Sequence, residues 1–188
     1  MAAGAGQDPE LQALLDFWFD PATQPYWFDS TADFDERLQT RFGALHARAA
    51  AGELAAWEAT APGALGLVLL LDQLPRNLFR GSARAFATDA EARRIAERTI
   101  ARGDDRSLTQ PQRLFLYLPL EHAEDLDAQE RSVALIAELD EEPVWADYAR
   151  AHRDVIARFG RFPHRNALLG RSSTTDELRF LQTDGAGW

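Results

Sequence analysis

Apolar residues recur at helical spacing along almost the whole chain, and this pattern restricts the possible fold more than any other feature. One apolar stripe, for example, consists of Phe34, Leu38, Phe42, Leu45 and Ala49. Residues spaced by three or four lie on one face of an α-helix, whereas a half-buried strand alternates apolar and polar residues. Since no segment alternates in that way over a useful length, the sequence predicts an all-α fold of about eight helices in antiparallel pairs.

Two regions depart from this amphipathic pattern. Residues 65–74 are apolar on all sides, which predicts a central helix, and Pro75 is expected to end it because proline interrupts the helical hydrogen bonds. Pro119 is expected to bend or end a later helix for the same reason. Residues 1–8 are rich in Gly and Ala and predict a flexible N-terminal tail, followed by a single all-helical domain over 9–188.

Charge and composition exclude several classes of function. The chain has 30 acidic and 20 basic residues and a formal net charge of -10, which argues against a nucleic-acid partner because phosphate binding requires a basic surface. It contains no lysine and no cysteine, so Schiff-base catalysis, thiol catalysis and cysteine-based metal sites are excluded. The longest nearly apolar run, residues 61–71, is shorter than the about 20 residues of a membrane helix. We therefore expect no membrane partner and a cytoplasmic location.

The first group of candidate site residues follows the central helix. Asp72 continues the buried stripe, and a carboxylate near a helix C-terminus requires a cationic partner. Arg76 and Arg80 are the nearest cations in the sequence, and Asn77 lies between them. We assign all four residues to ligand binding. The alternative is a structural Asp–Arg pair that fixes the end of the helix.

The second group contains candidates for acid–base chemistry. Glu121, His122 and Glu124 follow an apolar segment, and a carboxylate beside an imidazole can tune the pKa of the histidine. The arrangement predicts catalytic roles for these three residues, and the alternative is a helix-end cap around one buried histidine. The Glu-x-x-His spacing of di-iron bundles does not occur, so no metal ligand is assigned and the cofactor is left open.

The third group lies towards the C-terminal end. We assign His152, Arg161, Arg165 and Asn166 to ligand binding and His164 to catalysis. The planar guanidinium of arginine binds carboxylate or phosphate through two parallel hydrogen bonds. We hypothesise that these two arginines converge on one cleft with the two arginines of the first group. Such a cleft would attract a small anion into a protein whose overall charge repels anions.

Together, these motifs resemble a known family. They are LDFWF at 15–19, RFG at 41–43, LDQLPRNLFRG at 71–81, AFATD at 85–89, FLYLPLEHAED at 115–125, QERS at 129–132, and HRD and FPHRN within 152–166. In this order they are similar to the bacterial family called domain of unknown function 924, over roughly residues 11–181. The resemblance implies a fold like that of tetratricopeptide repeats, with stacked antiparallel helix pairs. It implies no established activity, and it transfers no catalytic residue to this chain.

Two functions are compatible with the sequence. The first is a cytoplasmic protein that binds a small anionic metabolite, carrying carboxylate or phosphate, in an all-helical cleft. His and Glu acid–base chemistry would make it an enzyme, and the reaction is left open. The alternative is a tetratricopeptide-like module that binds a protein or peptide, in which the Arg, Asp and Glu groups are structural locks. A homodimer is a further hypothesis, because the aromatic N-terminal segment could cover a second copy.

Overall fold

The computed structural model describes residues 8–139 and 143–183, and no strand occurs in these two ranges. The all-α prediction is therefore confirmed. A π-helical turn, Leu69–Gln73, joins α3 and α4 into one continuous rod, so the described helices form eight rods, as expected. The helices are α1 Pro9–Trp18, α2 Ala32–Ala50, α3 Ala61–Val68, α4 Leu74–Leu78, α5 Asp89–Arg102, α6 Gln110–Glu121, α7 Leu126–Ala137, α8 Pro143–Phe159 and α9 Thr175–Phe180.

Helix α1 begins at Pro9, which is the first residue of the expected all-helical domain. Asp8, placed at the end of the tail by the sequence, caps α1: its Oδ1 accepts a hydrogen bond from the backbone N–H of Glu10 at 2.9 Å. Its Oδ2 accepts a second one from the indole N–H of Trp57 at 3.0 Å. Residues 1–7 of the expected tail lie outside the described residues. None of the described helices is long and apolar enough to cross a membrane.

The α3–α4 rod is the centre of the core. Leu65, Val68, Leu69, Leu70 and Leu74 are fully buried, and α1, α5 and α6 pack against the rod. The prediction of a central helix over this segment is confirmed. The helix is apolar on all sides because other helices bury it from every direction.

Pro75 does not end the central helix, contrary to the expectation. A proline leaves one backbone carbonyl of the preceding turn without its N–H donor, that of Leu71 in an α-helix or that of Leu70 in a π turn. Side chains from other helices bind both carbonyls: His46 Nδ1 lies 2.8 Å from Leu70 O, and the Thr88 hydroxyl donates to Leu71 O. The helix therefore continues, because tertiary partners replace the lost hydrogen bond.

Pro119 also lies inside a helix, and α6 continues to Glu121. His122 then caps it, with its backbone N–H donating to Leu118 O at 2.8 Å. Residues 122–125 make a short connection to α7, and α7 packs against both α6 and α8. A connection of this length makes α6 and α7 antiparallel. The last turn of α6 is thereby brought beside α8 and the centre of the rod.

Candidate functional site

Titratable side chains from distant parts of the sequence meet beside the central rod, and we call them the buried polar cluster. They come from the π turn, α4, the first turn of α5, the end of α6, α8 and the 3-10 turn Pro163–Arg165. Its members are Asp72, Arg76, Asp89, Glu121, His122, His152 and Arg165.

Asp72 is the fully buried anion of this cluster. His122 Nδ1 lies 2.9 Å from both carboxylate oxygens, and Arg76 Nη1 lies 3.2 Å from Oδ1. Gln73 donates a further hydrogen bond to Oδ2 at 2.5 Å. Although burial on its own would raise the pKa of Asp72, the positive charge of Arg76 and the contact with His122 hold it well below its usual range. Asp72 is therefore ionised at neutral pH.

Arg76 connects the π turn to the start of α5. It donates two parallel hydrogen bonds to Asp89, each 3.0 Å long, and a third of 2.6 Å to the backbone carbonyl of Asp72. Burial raises the pKa of Asp89, and the adjacent Arg76 opposes that rise. Both carboxylate oxygens of Asp89 are thus bound to Arg76.

The ionised state of Asp72 determines the tautomer of His122. A carboxylate can only accept hydrogen bonds, so Nδ1 of His122 carries the proton and Nε2 presents a lone pair. Burial and the charge of Arg76 lower the pKa of His122 more than Asp72 raises it. At neutral pH, His122 is consequently a neutral imidazole that is oriented by a carboxylate and able to accept a proton at Nε2.

Glu121 and His152 meet where the end of α6 packs on α8. Glu121 is only 4% exposed, and burial, together with repulsion from Asp72, raises its pKa to about 8. His152 Nδ1 lies 2.9 Å from Tyr148 O and 3.2 Å from Glu121 Oε1, and burial lowers the pKa of His152 to about 3. Glu121 is therefore protonated and His152 neutral at pH 7, so Glu121 can act as a proton donor.

Arg165 is the least compensated group of the cluster. It is 6% exposed, and its guanidinium carbon lies 4.7 Å and 4.4 Å from the ring centroids of Phe86 and Phe162. Its closest acidic contact is Nη1 to Asp89 Oδ2 at 3.6 Å, which is too long for a hydrogen bond. Among the residues that the structure describes, none is a hydrogen-bond partner of its buried Nε. Burial lowers the pKa of Arg165 to about 10, so it remains charged at neutral pH.

A second group of side chains supports Arg165 from outside the cluster. Arg171 binds Glu124 through two hydrogen bonds of 2.6 and 2.8 Å and donates a third to Asn166 Oδ1 at 2.9 Å. Glu124 also accepts from the backbone N–H of Phe162 at 2.8 Å. Glu124 and Asn166, which were predicted as site residues, therefore fix the backbone that carries Arg165. His164 packs on Phe162 with ring centroids 5.6 Å apart, and burial lowers its pKa to about 4.

Three other predicted binding residues lie outside the cluster. Asn77 and Arg80 both bind Asp35 of α2, at 2.7 Å and 3.0 Å. Arg161 binds Glu177 of α9 through two hydrogen bonds of 2.6 and 2.9 Å. The hypothesis that four arginines converge is therefore wrong, because Arg80 and Arg161 are neutralised by acidic partners elsewhere. Arg76 and Arg165 do meet at Asp89.

Sequence reasoning missed several residues of the site. Asp89 appeared only as the last residue of the motif at 85–89, yet its side chain binds Arg76. Phe86 appeared only within a motif, and no spacing signal indicated that it contacts Arg165. Within the described ranges, no group of three or more His, Asp or Glu side chains could hold a metal ion.

Comparison with known proteins agrees with the motif resemblance. The family described as bacterial protein of unknown function (DUF924) matches residues 14–185. The solved structure of the protein of unknown function ATU0120 from Agrobacterium tumefaciens is 44% identical and has a TM-score of 0.86, and the match covers 92% of this chain and 96% of that chain. No curated protein matches the sequence. The chain therefore belongs to this family of bacterial proteins, whose function is not established.

Proposed function

We propose that this protein acts in the cytoplasm and binds a small anionic metabolite, with a carboxylate or phosphate group, at the buried polar cluster. One observation carries the proposal: Arg165 is a buried cation with an unused hydrogen-bond donor. An unpaired buried donor costs about 1–3 kcal/mol, and more when the group is charged. A bound anion would remove that cost, and its affinity would include the energy recovered.

The charges of the cluster are compatible with an anionic ligand. Arg76 and Arg165 are positive, Asp72 is negative, and His122 and Glu121 are neutral at pH 7. The two parallel hydrogen bonds from Arg76 to Asp89 are those of a guanidinium with an ionised carboxylate, so we assign a negative charge to Asp89 as well. Asp89 is already bound by both terminal nitrogens of Arg76. Arg165 is thus the cation with an unpaired donor, even though the cluster as a whole is neutral.

Proton transfer is the chemistry that the cluster can perform on the bound metabolite. His122 is held by Asp72 with Nε2 unprotonated, which suits a general base. Glu121 is protonated near neutral pH, which suits a general acid. A carboxylate-oriented histidine together with a neutral carboxylic acid supplies both directions of proton transfer without lysine, cysteine or a covalent intermediate.

A thermal-shift experiment with Arg165→Ala tests the binding proposal. A ligand present at 100 times its Kd stabilises the folded state by about 2.7 kcal/mol, which raises Tm by about 5–10 °C in a chain of this size. We expect phosphate or small carboxylates to raise Tm of the wild type but not of Arg165→Ala. Arg179→Ala is the matched control, since Arg179 is an exposed arginine paired with Asp176. An equal shift in all three proteins would contradict the proposal.

The alternative function is a tetratricopeptide-like interaction module with structural locks. The observation that favours it is local pairing: Arg80 binds Asp35, Arg161 binds Glu177 and Arg171 binds Glu124. If Arg165 is also a lock, Arg165→Ala lowers the stability strongly, and none of the tested anions shifts the Tm of the wild type. Capture of a defined peptide by the wild type, with no anion effect, would then support the module.

A further inference from the structure

The unpaired Nε–H of Arg165 has a defined direction. The nitrogen nearest Asp89 is Nη1, whereas the buried Nε is unpaired. In a planar guanidinium, the N–H bonds of Nε and Nη2 on the side away from Nη1 are parallel and form a fork that matches two oxygen atoms. An oxygen-containing anion that reaches the unpaired Nε along this edge would therefore also meet Nη2, so that one group can accept from both nitrogens.

The surroundings of Arg165 restrict what can bind to this fork. The rings of Phe86 and Phe162 pack against the guanidinium, with centroids 4.7 and 4.4 Å from its central carbon. They occupy part of the space next to it and provide no hydrogen-bond donor to an anion. Because the N–H bonds of a guanidinium lie in its plane, an acceptor approaches in that plane, and a flat group needs less space beside the two rings than a tetrahedral one.

The charges of the cluster restrict the ligand independently of its shape. Two ionised carboxylates, Asp72 and Asp89, already lie in the cluster, and Arg76 is bound to both. A monoanion would add one negative charge to a neutral buried group, whereas a dianion would add two and would meet repulsion from both aspartates. Burying uncompensated charge is costly, so the site favours a single negative charge.

Planarity and single charge together identify the ligand class. We propose that the site binds the carboxylate group of a small monoanionic metabolite, held in the plane of the Arg165 guanidinium by Nε and Nη2. This proposal rests on the proposed function and narrows its ligand from carboxylate or phosphate to carboxylate. Phe86 and Phe162 are then specificity-determining residues, because they disfavour tetrahedral anions.

Matched probe anions test the selectivity. Acetate and methanesulfonate carry the same charge and the same methyl group but differ in the shape of the anionic group, and inorganic phosphate adds charge. At equal concentration and ionic strength, we expect acetate to raise Tm and methanesulfonate and phosphate to have a much smaller effect. The hydrogen-bonded Nε–H proton of Arg165 should also shift downfield in the NMR spectrum when acetate binds.

Conservative variants distinguish binding by the paired N–H donors of Arg165 from binding by its positive charge alone. Arg165→Lys keeps the charge and most of the volume but loses the paired donors, so we expect acetate binding to weaken about tenfold or more, which corresponds to about 1.4 kcal/mol. Arg179→Lys is the control, because this exposed arginine lies on α9, outside the cluster, and we expect no change in binding. If Arg165→Lys does not fold, the Nε–H shift of the wild type still tests the contact.

The outcomes distinguish the two proposals. Selective stabilisation by acetate that is lost in Arg165→Lys supports both of them. If methanesulfonate or phosphate stabilises the wild type as well as acetate does, and Arg165→Lys abolishes the effect, anion binding stands and the carboxylate inference is overturned. If none of the probes stabilises the wild type, or if all of them act equally on Arg165→Lys, both proposals are overturned.

Discussion

Replacement of Glu121 by glutamine should stabilise the protein at neutral pH, although it removes a buried side chain that contacts His152. The folded state keeps Glu121 protonated, with its pKa raised from 4.5 to about 8 by burial and by Asp72. The unfolded chain ionises the same group freely. Above pH 4.5, the folded state must therefore hold a proton that the unfolded state releases, and this difference lowers the free energy of unfolding.

The size of this destabilisation follows from the difference between the pKa values of Glu121 in the folded and unfolded states. Each unit corresponds to about 1.36 kcal/mol, so the interval from 4.5 to pH 7 costs the wild type about 3 kcal/mol. Glutamine is neutral at all of these pH values, has nearly the same shape, and retains an oxygen acceptor near His152 Nδ1. Glu121→Gln should recover most of this cost at pH 7.

The free energy of unfolding of the wild type should fall as the pH rises through the neutral range. The cost of a raised acid pKa is absent below pH 4.5, grows as the pH rises, and is complete above about pH 8. His122, His152 and His164 have lowered pKa values, so they remove stability only as the pH falls below 6.5. Between pH 6.5 and 8, the stability of the wild type should therefore fall by about 2 kcal/mol, and that of Glu121→Gln should stay nearly constant.

Urea unfolding at several pH values between 6.5 and 8 measures both effects. Glu124→Gln is the control, because Glu124 is a neighbouring glutamate whose pKa is lowered, mainly by its hydrogen bonds to Arg171 and the Phe162 backbone, against the effect of burial. It should be less stable than the wild type at pH 7 and should keep the wild-type slope. Glu121→Gln with lower stability at pH 7, or with an unchanged slope, would refute the argument that Glu121 is buried as a neutral acid.

Two further predictions concern the central rod. Thr88→Val removes the hydroxyl donor to the Leu71 carbonyl, and we expect a loss of about 1–2 kcal/mol in urea unfolding; an unchanged midpoint would mean that Pro75 needs no tertiary partner. Gly63→Ala would place a Cβ 2.0 Å from the Trp57 carbonyl oxygen and should cost about 3 kcal/mol. Gly43→Ala meets only a movable glutamine side chain and should stabilise α2 by about 0.5–1 kcal/mol; equal effects of the two alanines would contradict this.

The site could be predicted only in part. The sequence singled out Asp72, His122 and His152 because a polar side chain on an apolar stripe is visible in it. Glu121 was chosen as the carboxylate beside His122, and Arg165 because a guanidinium binds anions. Their roles stay predictions until a ligand is found. Asn77, Arg80 and Arg161 belong to the same kinds of motif, yet they bind Asp35 and Glu177. Sequence spacing cannot show whether an arginine joins the buried polar cluster or pairs outside it, since the acidic partner of each arginine lies on another helix.

The amino-acid sequence by itself determined the helices and their buried faces. Helical periodicity and capping residues act over three or four positions, so their effects are local: Thr174 and Glu177, for example, form a capping box at the start of α9. The tertiary structure alone decided that the central helix continues through Pro75, and that Arg76 and Arg165 meet at Asp89. These outcomes depend on how helices pack, and residues distant in sequence supply the hydrogen bonds and charges that make them stable.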